Sequence, residues 1–165
     1  KSKWRSFKNL NRNSIGIELV NKGHVYGYES FSKAQIQSLV VLCKELIKKY
    51  NISASNFLGH SDIAPLRKID PGEKFPWKKL SRYKIGVWYK NKDYKVKDLK
   101  KEELRNLFFK NTHIIGYRYF QILKRSNQDS KVIRVFQQRY LPKKVNGKID
   151  KKTLEISAFL ANKLA

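Results

Sequence analysis

A chain of 165 residues that is 41% hydrophobic, with nine Tyr, nine Phe and three Trp, can fill one ordinary core or two small ones, which argues against a disordered class. Its 37 Lys and Arg against 13 Asp and Glu give a formal net charge of +24. Such a field draws polyanions (nucleic acid, anionic lipid, a carboxylate- and phosphate-rich wall), or is simply a lysine coat on solvated faces. The single cysteine, Cys43, excludes an intrachain disulfide and a cysteine-rich zinc knuckle, and no apolar run nears the ~20 residues of a membrane-spanning helix.

Residues 14–20, SIGIELV, alternate Ile15, Ile17 and Leu19 with Ser14, Gly16 and Glu18. The alternation predicts a strand with one face in a core and a carboxylate on the other. Ser32 and Gln35 have the spacing of a capping box, and Phe31 is placed to staple onto Ile36. Behind them Ile36, Leu39, Val40, Cys43, Leu46, Ile47 and Tyr50 recur at helical spacing, predicting a helix to about Tyr50 with Cys43 as a small core residue. Residues 56–60 read as a short strand that delivers His60 at its end, so strand, helix and strand together imply an α/β layer. Pro65, Pro71, Gly72 and Pro76 predict irregular chain over 61–76. An aromatic segment with Trp77, Tyr83, Trp88 and Tyr89 follows, and then a basic, polar linker over 90–101.

The remainder reads as helical. Leu99, Leu104, Leu107 and Phe108 start one amphipathic run that ends before Gly116 and Tyr117. Val132, Val135, Phe136 and Tyr140 mark a second, and Leu154, Ile156, Phe159, Leu160 and Leu164 a third, beginning at Asp150 or Lys151. Three short helices make a small bundle.

Candidate chemistry gathers in GHSDIAPLRKIDPG, residues 59–72. His60 and Asp70 are an imidazole and a carboxylate of the kind zinc takes, although on spacing alone the pair is a weak signal and ordinary loop hydrogen bonding is the favoured account. Asp62 follows too closely to aim at the same point as His60, and is expected to fix the loop by hydrogen bonding. Glu18 could handle the proton of a bound water, or be a surface glutamate on a half-exposed strand. Lys68 could stabilise an oxyanion, or be one more lysine among 37 basic residues. The other histidines, His24 and His113, read as surface or packing residues.

The motifs Asn13-Ser14-Ile15-Gly16-Ile17-Glu18-Leu19 and Gly59-His60-Ser61-Asp62-Ile63-Ala64-Pro65, with Arg67-Lys68, Asp70-Pro71-Gly72 and Phe75-Pro76-Trp77 behind them, resemble the two signatures of the zinc-dependent N-acetylmuramoyl-L-alanine amidases of the amidase-2 (AmpD/AmiD) family. The resemblance runs over about residues 4–89. Residues 95–165 resemble, more loosely, a peptidoglycan-binding three-helix bundle, through Ile115-Gly116-Tyr117, Val135-Phe136-Gln137, Asn146-Gly147-Lys148-Ile149-Asp150 and Thr153. A bundle behind the catalytic domain is similar to the AmiD branch.

The resemblance implies an α/β fold: the C-terminal part of a mixed-sheet amidase domain over 1–90, then a small three-helix bundle over 91–165. It implies Zn2+ as cofactor, with His60 and Asp70 as two ligands, Glu18 as the catalytic proton carrier and Lys68 as oxyanion stabiliser. The family's third ligand is a histidine well upstream of the SIGIEL strand, so the 165 residues alone are expected to form neither a competent zinc site nor a complete sheet, and a missing N-terminal segment of the same protein is an implied partner. Peptidoglycan or a muropeptide, possibly in 1,6-anhydro form, is the expected substrate. The periplasm or cell envelope is the expected location, with the cytoplasm as the alternative. The rival readings are a non-catalytic peptidoglycan-recognition protein and, on charge alone, a nucleic-acid binder; the latter lacks any recognisable binding motif, so nucleic acid is not an expected partner.

Overall fold

The computed structural model describes residues 2–90 and 99–165. The expected linker over 90–101 therefore lies mostly outside the described residues. In chain order come a hairpin of β1 (Lys3–Trp4) and β2 (Phe7–Lys8), α1 (Lys33–Tyr50), two one-turn helices, α2 (His60–Ile63) and α3 (Trp77–Leu80), and then α4 (Lys101–Ile115), α5 (Asp129–Tyr140) and α6 (Lys151–Leu164). The hairpin is antiparallel, with Lys3 opposite Lys8 and Trp4 opposite Phe7.

Helix α1 begins where its capping box predicts. The Gln35 N–H donates to Ser32 Oγ at 3.1 Å, and the Ser32 N–H donates to Gln35 Oε1 at 2.9 Å. It ends at Asn51, which takes the left-handed conformation with φ 50°. Ile36, Leu39 and Cys43 face inward and form one core with Phe75, Trp77, Leu80 and Ile85. Burial pushes the Cys43 thiol pKa up, in keeping with its place in that core.

Two expected strands are absent among the described residues. Residues 14–20 form no ladder, and Ile15, Ile17 and Val20 are exposed. Alternation decides only which side chains share a face; a strand also needs a neighbour to take its N–H and C=O groups, and no described segment pairs with this one. Residues 56–60 likewise make no strand. They run from a 3-10 turn at Ala54–Asn56 into α2, so His60 opens a helical turn instead of closing a strand, and 61–76 is less irregular than its prolines suggest.

The larger core takes Phe108, Phe109 and Ile115 from α4, Val132, Ile133, Val135, Phe136 and Tyr140 from α5, and Leu154, Ile156, Leu160 and Ala161 from α6. These are the helices the apolar spacing predicts. Trp4 and Leu10 of the N-terminal region belong to the same core, as does Val87. Trp4 meets Tyr117 edge to face at 5.0 Å. The Arg5 N–H donates to the Gly116 carbonyl at 2.9 Å and Arg5 Nε to the Ile115 carbonyl at 3.1 Å, so the hairpin satisfies acceptors at the end of α4. Gly116 has φ 142°, and a Cβ there would sit 2.4 Å from Trp4 Cε2, so only glycine lets the indole approach.

The Val135-Phe136-Gln137 and Asn146-to-Asp150 segments are joined through one buried amide. Gln137 Oε1 accepts from the Asn146 N–H at 3.0 Å and the Gly147 N–H at 2.8 Å, while its Nε2 donates to the Lys148 carbonyl at 2.8 Å. That turn presents Asp150 as N-cap of α6, where its carboxylate accepts from the Thr153 N–H at 2.7 Å. No helix among the described residues is long and apolar enough to cross a membrane.

Candidate functional site

Helix α2 and the Asp70 turn are laced together by backbone before their side chains meet. The Ser61 N–H donates to the Asp70 carbonyl at 2.8 Å. A Cβ on Gly59 would lie 2.7 Å from Pro71 Cδ, so glycine at 59 permits the close approach of the turn. Across this seam His60 Nδ1 lies 3.1 Å from Asp70 Oδ2. Their side chains are 40% and 58% exposed, open to a ligand from solvent.

The turn is clamped from its other side by residues 21–29. Asn21 closes that loop, accepting from the Gly23 N–H at 3.0 Å and donating to the Glu29 carbonyl at 2.9 Å. The Tyr28 hydroxyl donates to the Pro71 carbonyl at 2.7 Å and accepts from the Lys74 N–H at 2.9 Å. Burial is the main cause that pushes the Tyr28 hydroxyl pKa up to about 12. His24 stacks on Tyr28 at 4.1 Å between ring centres, with Nε2 3.2 Å from Glu73 Oε2. Burial works against the charged form of Glu73, but its own backbone N–H, His24 and Gln138 outweigh it and hold the carboxyl below its usual pKa. Gly72, with φ 78°, has no room for a Cβ, which would fall 2.6 Å from Tyr28 Oη and 2.8 Å from His24 Cε1. His24 therefore packs and supports, as its sequence setting suggests, and His113 sits half-buried with its pKa lowered by burial and by Arg118.

Beneath α2 lies a buried charge network. Asp62 is 2% exposed and Arg139 5%. Asp62 Oδ2 accepts from the Gly59 N–H at 2.8 Å, which is the loop-fixing role expected for it, and is paired with Arg139 Nη1. Its Oδ1 accepts from the Tyr117 hydroxyl at 2.6 Å. Arg139 Nη2 donates to the Phe57 carbonyl at 2.9 Å, and the guanidinium lies 3.8 Å over the Trp77 ring. Burial raises the Tyr117 hydroxyl pKa well above its ordinary value, and the Asp62 carboxylate adds to that. Burial opposes the charge on Arg139, but Asp62 more than reverses that and raises its pKa.

Of the four predicted site residues, the structure brings His60 and Asp70 together. Glu18 is exposed and Lys68 half-buried, and neither side chain makes a hydrogen bond or ion pair among the described residues. An imidazole nitrogen beside a carboxylate oxygen fits zinc's ligand chemistry and would supply two of the three protein ligands a catalytic site takes. No group of three or more His, Cys, Asp or Glu able to hold a metal occurs among the described residues.

The family model for Amidase_2, N-acetylmuramoyl-L-alanine amidase, matches residues 2–73. Over that segment the chain is similar to the Amidase_2 family. It is 47% identical over 92 residues to the N-acetylmuramoyl-L-alanine amidase AmiD of Escherichia coli K12, covering 53% of this chain and 33% of that protein. It is 40% identical over 79 residues to the 1,6-anhydro-N-acetylmuramyl-L-alanine amidase AmpD of Enterobacter cloacae, covering 48% and 40%. The chain thus spans well under half the length of these curated relatives. A solved structure of E. coli AmiD, in complex with its substrate anhydro-N-acetylmuramic acid-L-Ala-D-gamma-Glu-L-Lys, superposes with a TM-score of 0.81 and 32% identity, over 98% of this chain and 66% of that one. AmpDH3 of Pseudomonas aeruginosa gives a TM-score of 0.81 at 29% identity with the same coverage. The fold is that of the AmpD and AmiD amidases, and the likeness takes in the helices over 99–165 as well as the Amidase_2 segment.

That division sharpens what sequence reading missed. Asp62 lies inside the Amidase_2 match, whereas its partners Tyr117 and Arg139 lie beyond residue 73. Arg139 did carry a signal. It sits at i+7 from Val132 and i+3 from Phe136, on the apolar stripe of α5, where a cation must find a buried partner. Tyr28 and Glu73 carried none, because their role depends on a loop folding back 43 residues or more.

Proposed function

We propose that the protein is an N-acetylmuramoyl-L-alanine amidase, hydrolysing the amide between the lactyl group of N-acetylmuramic acid and L-alanine in peptidoglycan or in muropeptides, the 1,6-anhydro form included. The observation that carries this reading is the solvent-open pair of His60 and Asp70, 3.1 Å apart, inside the Amidase_2 segment. It draws support from AmiD, whose substrate complex is an anhydromuramyl peptide.

In this proposal His60 and Asp70 hold Zn2+, with a third ligand, a histidine, supplied from outside the described residues by an N-terminal segment of the same protein. Zinc, when bound, supplies a Lewis acid that lowers the pKa of water from about 16 toward about 7. Glu18 takes a proton from the attacking water and returns it to the departing amine of L-alanine. Lys68 places its ammonium against the oxygen on which negative charge develops. Residues 1–90 then form the C-terminal part of the catalytic domain. The helical residues over 91–165 hold the wall polymer, raising the local concentration of scissile bonds. The +24 charge favours docking on an acidic wall in the periplasm or cell envelope.

The test is mass spectrometry of muropeptide products from full-length protein, with and without chelator, beside a Glu18→Gln variant. The expected products are the free stem peptide and the muramyl sugar, with turnover lost on chelation and reduced at least 100-fold by Glu18→Gln. Turnover by Glu18→Gln equal to the parent refutes the role of Glu18, and muropeptide binding without cleavage by the parent favours a recognition protein.

A further inference from the structure

We infer that the helical region positions the His60–Asp70 pair, acting mainly on Asp62 through Arg139 of α5 and Tyr117 just after α4. This rests on the amidase reading for its consequence in catalysis, but not for its structural content.

Helix α2 is a single turn, His60–Ile63, too short to hold its own orientation. Its anchor is Asp62, two residues from His60, and beyond the Gly59 N–H that carboxylate is held by the helical region: the Tyr117 hydroxyl just after α4, and the Arg139 guanidinium on α5. Arg139 also holds the chain entering α2, through the Phe57 carbonyl at 2.9 Å. The same helix reaches the loop that carries Asp70 at two further points. Lys131 Nζ donates to the Leu66 carbonyl at 3.3 Å, and Gln138 Nε2 donates to Glu73 Oε2 at 3.5 Å. Side chains of one helix thus grip the segment before His60, the loop between His60 and Asp70, and the segment after Asp70.

The geometry explains why a buried ion pair is used. A hydrophobic contact is non-directional, whereas a carboxylate held by a backbone N–H, a phenol and a guanidinium has its plane fixed. Fixing the Asp62 side chain fixes the turn that presents the His60 ring. Arg139 and Tyr117 bond to Asp62, not to the His60 ring or the Asp70 carboxylate, so they are positioning residues. The helical region is on this reading part of the working site as well as a candidate wall-binding module.

The experiment uses full-length protein with Arg139→Lys, Tyr117→Phe and a control, Leu154→Ala. Leu154 is buried in α6 and is not a hydrogen-bond partner of Asp62, so its truncation loosens the shared core while leaving the carboxylate's partners in place. Three quantities are measured well below each melting point: hydrogen exchange at residues 59–63 against α4, zinc affinity by competition with a chelating dye, and kcat and KM on a muropeptide. The expected result is faster exchange confined to 59–63 in Arg139→Lys and Tyr117→Phe. Zinc affinity should fall about tenfold in Arg139→Lys, in the range for outer-shell partners of metal ligands, and kcat should fall with KM little changed. Leu154→Ala should show none of these effects. Unchanged exchange at 59–63 in both variants overturns the inference whatever the activity, and so does an equal loss of zinc affinity in Leu154→Ala. If the parent neither binds zinc nor cleaves muropeptide, the amidase reading fails, and the exchange measurement still decides the inference.

Discussion

Replacing Asp62 with alanine should destabilise the chain by about 3–5 kcal/mol, the range for removing one partner of a buried ion pair. The structure places it in that range for three reasons. Arg139, only 5% exposed, would keep its charge away from water with no carboxylate beside it, left with neutral partners such as the Phe57 carbonyl. The Tyr117 hydroxyl, in a fully buried residue, would lose its 2.6 Å acceptor. The Gly59 N–H would lose its own at 2.8 Å. Each orphaned neutral donor is worth about 1–3 kcal/mol taken singly, but the three share one carboxylate and will not add. Against this, the 3.8 Å stacking of Arg139 on Trp77 persists and limits the loss. At about 2–4 °C per kcal/mol for a chain of this size, the melting temperature should fall by roughly 6–20 °C. The assay is urea unfolding followed by tryptophan fluorescence, in a double-mutant cycle with Arg139→Met. The double variant should be less destabilised than the sum of the singles by at least about 1 kcal/mol, because no unpaired charge is left behind. Additive losses, or a loss below about 1 kcal/mol for Asp62→Ala, would refute the network as a structural anchor.

Gly116→Ala should lower the melting temperature and red-shift Trp fluorescence, since the added Cβ would overlap Trp4 at a backbone angle of φ 142° that L side chains rarely adopt. Gly72→Ala, which pushes against Tyr28 and His24, should lose at least tenfold in amidase turnover while the far-ultraviolet dichroism of the helices stays at parent level. The Asp150 pKa is depressed although burial opposes it, because Lys144 and Thr153 favour its carboxylate. Its contribution is therefore complete above the ordinary aspartate pKa near 4 and is lost as pH falls through the lower folded value. Unfolding curves from pH 7 to pH 2 should show this, and Asp150→Asn should remove that component of the acid loss while retaining an N-cap.

The sequence made α1 and the three long helices legible because their determinants are local. A capping box joins residues three apart, and an apolar stripe repeats within a turn or two. The strand expected at 14–20 was not recoverable in the same way. Its alternation is present in SIGIELV, but pairing is a non-local property, and exposed Ile15 and Ile17 show that no described segment covers that part of the expected core face. His60 went from strand end to helix start for a partly related reason: the Gly59 N–H bond to Asp62 is local, but the Ser61 N–H bond to the Asp70 carbonyl is made only when the Asp70 turn has folded back.

The His60–Asp70 pair shows the same limit from the functional side. Ten residues of spacing favoured an ordinary hydrogen-bonded loop over a metal site; the fold supplies what spacing lacks, a reason for both side chains to stay where they are. That reason is spread over three places in the chain: Tyr28 on one side of the turn, Asp62 beneath it, and α5 across from both. A short, exposed loop with two polar side chains would otherwise lose about 1–2 kcal/mol per residue in backbone entropy to become ordered. The buried carboxylate, held by a phenol and a guanidinium some 55 and 77 residues away, converts that loss into part of the folding of the whole chain. Order at the pair is then inherited from the helical core, so a change deep in α5 should be felt at His60.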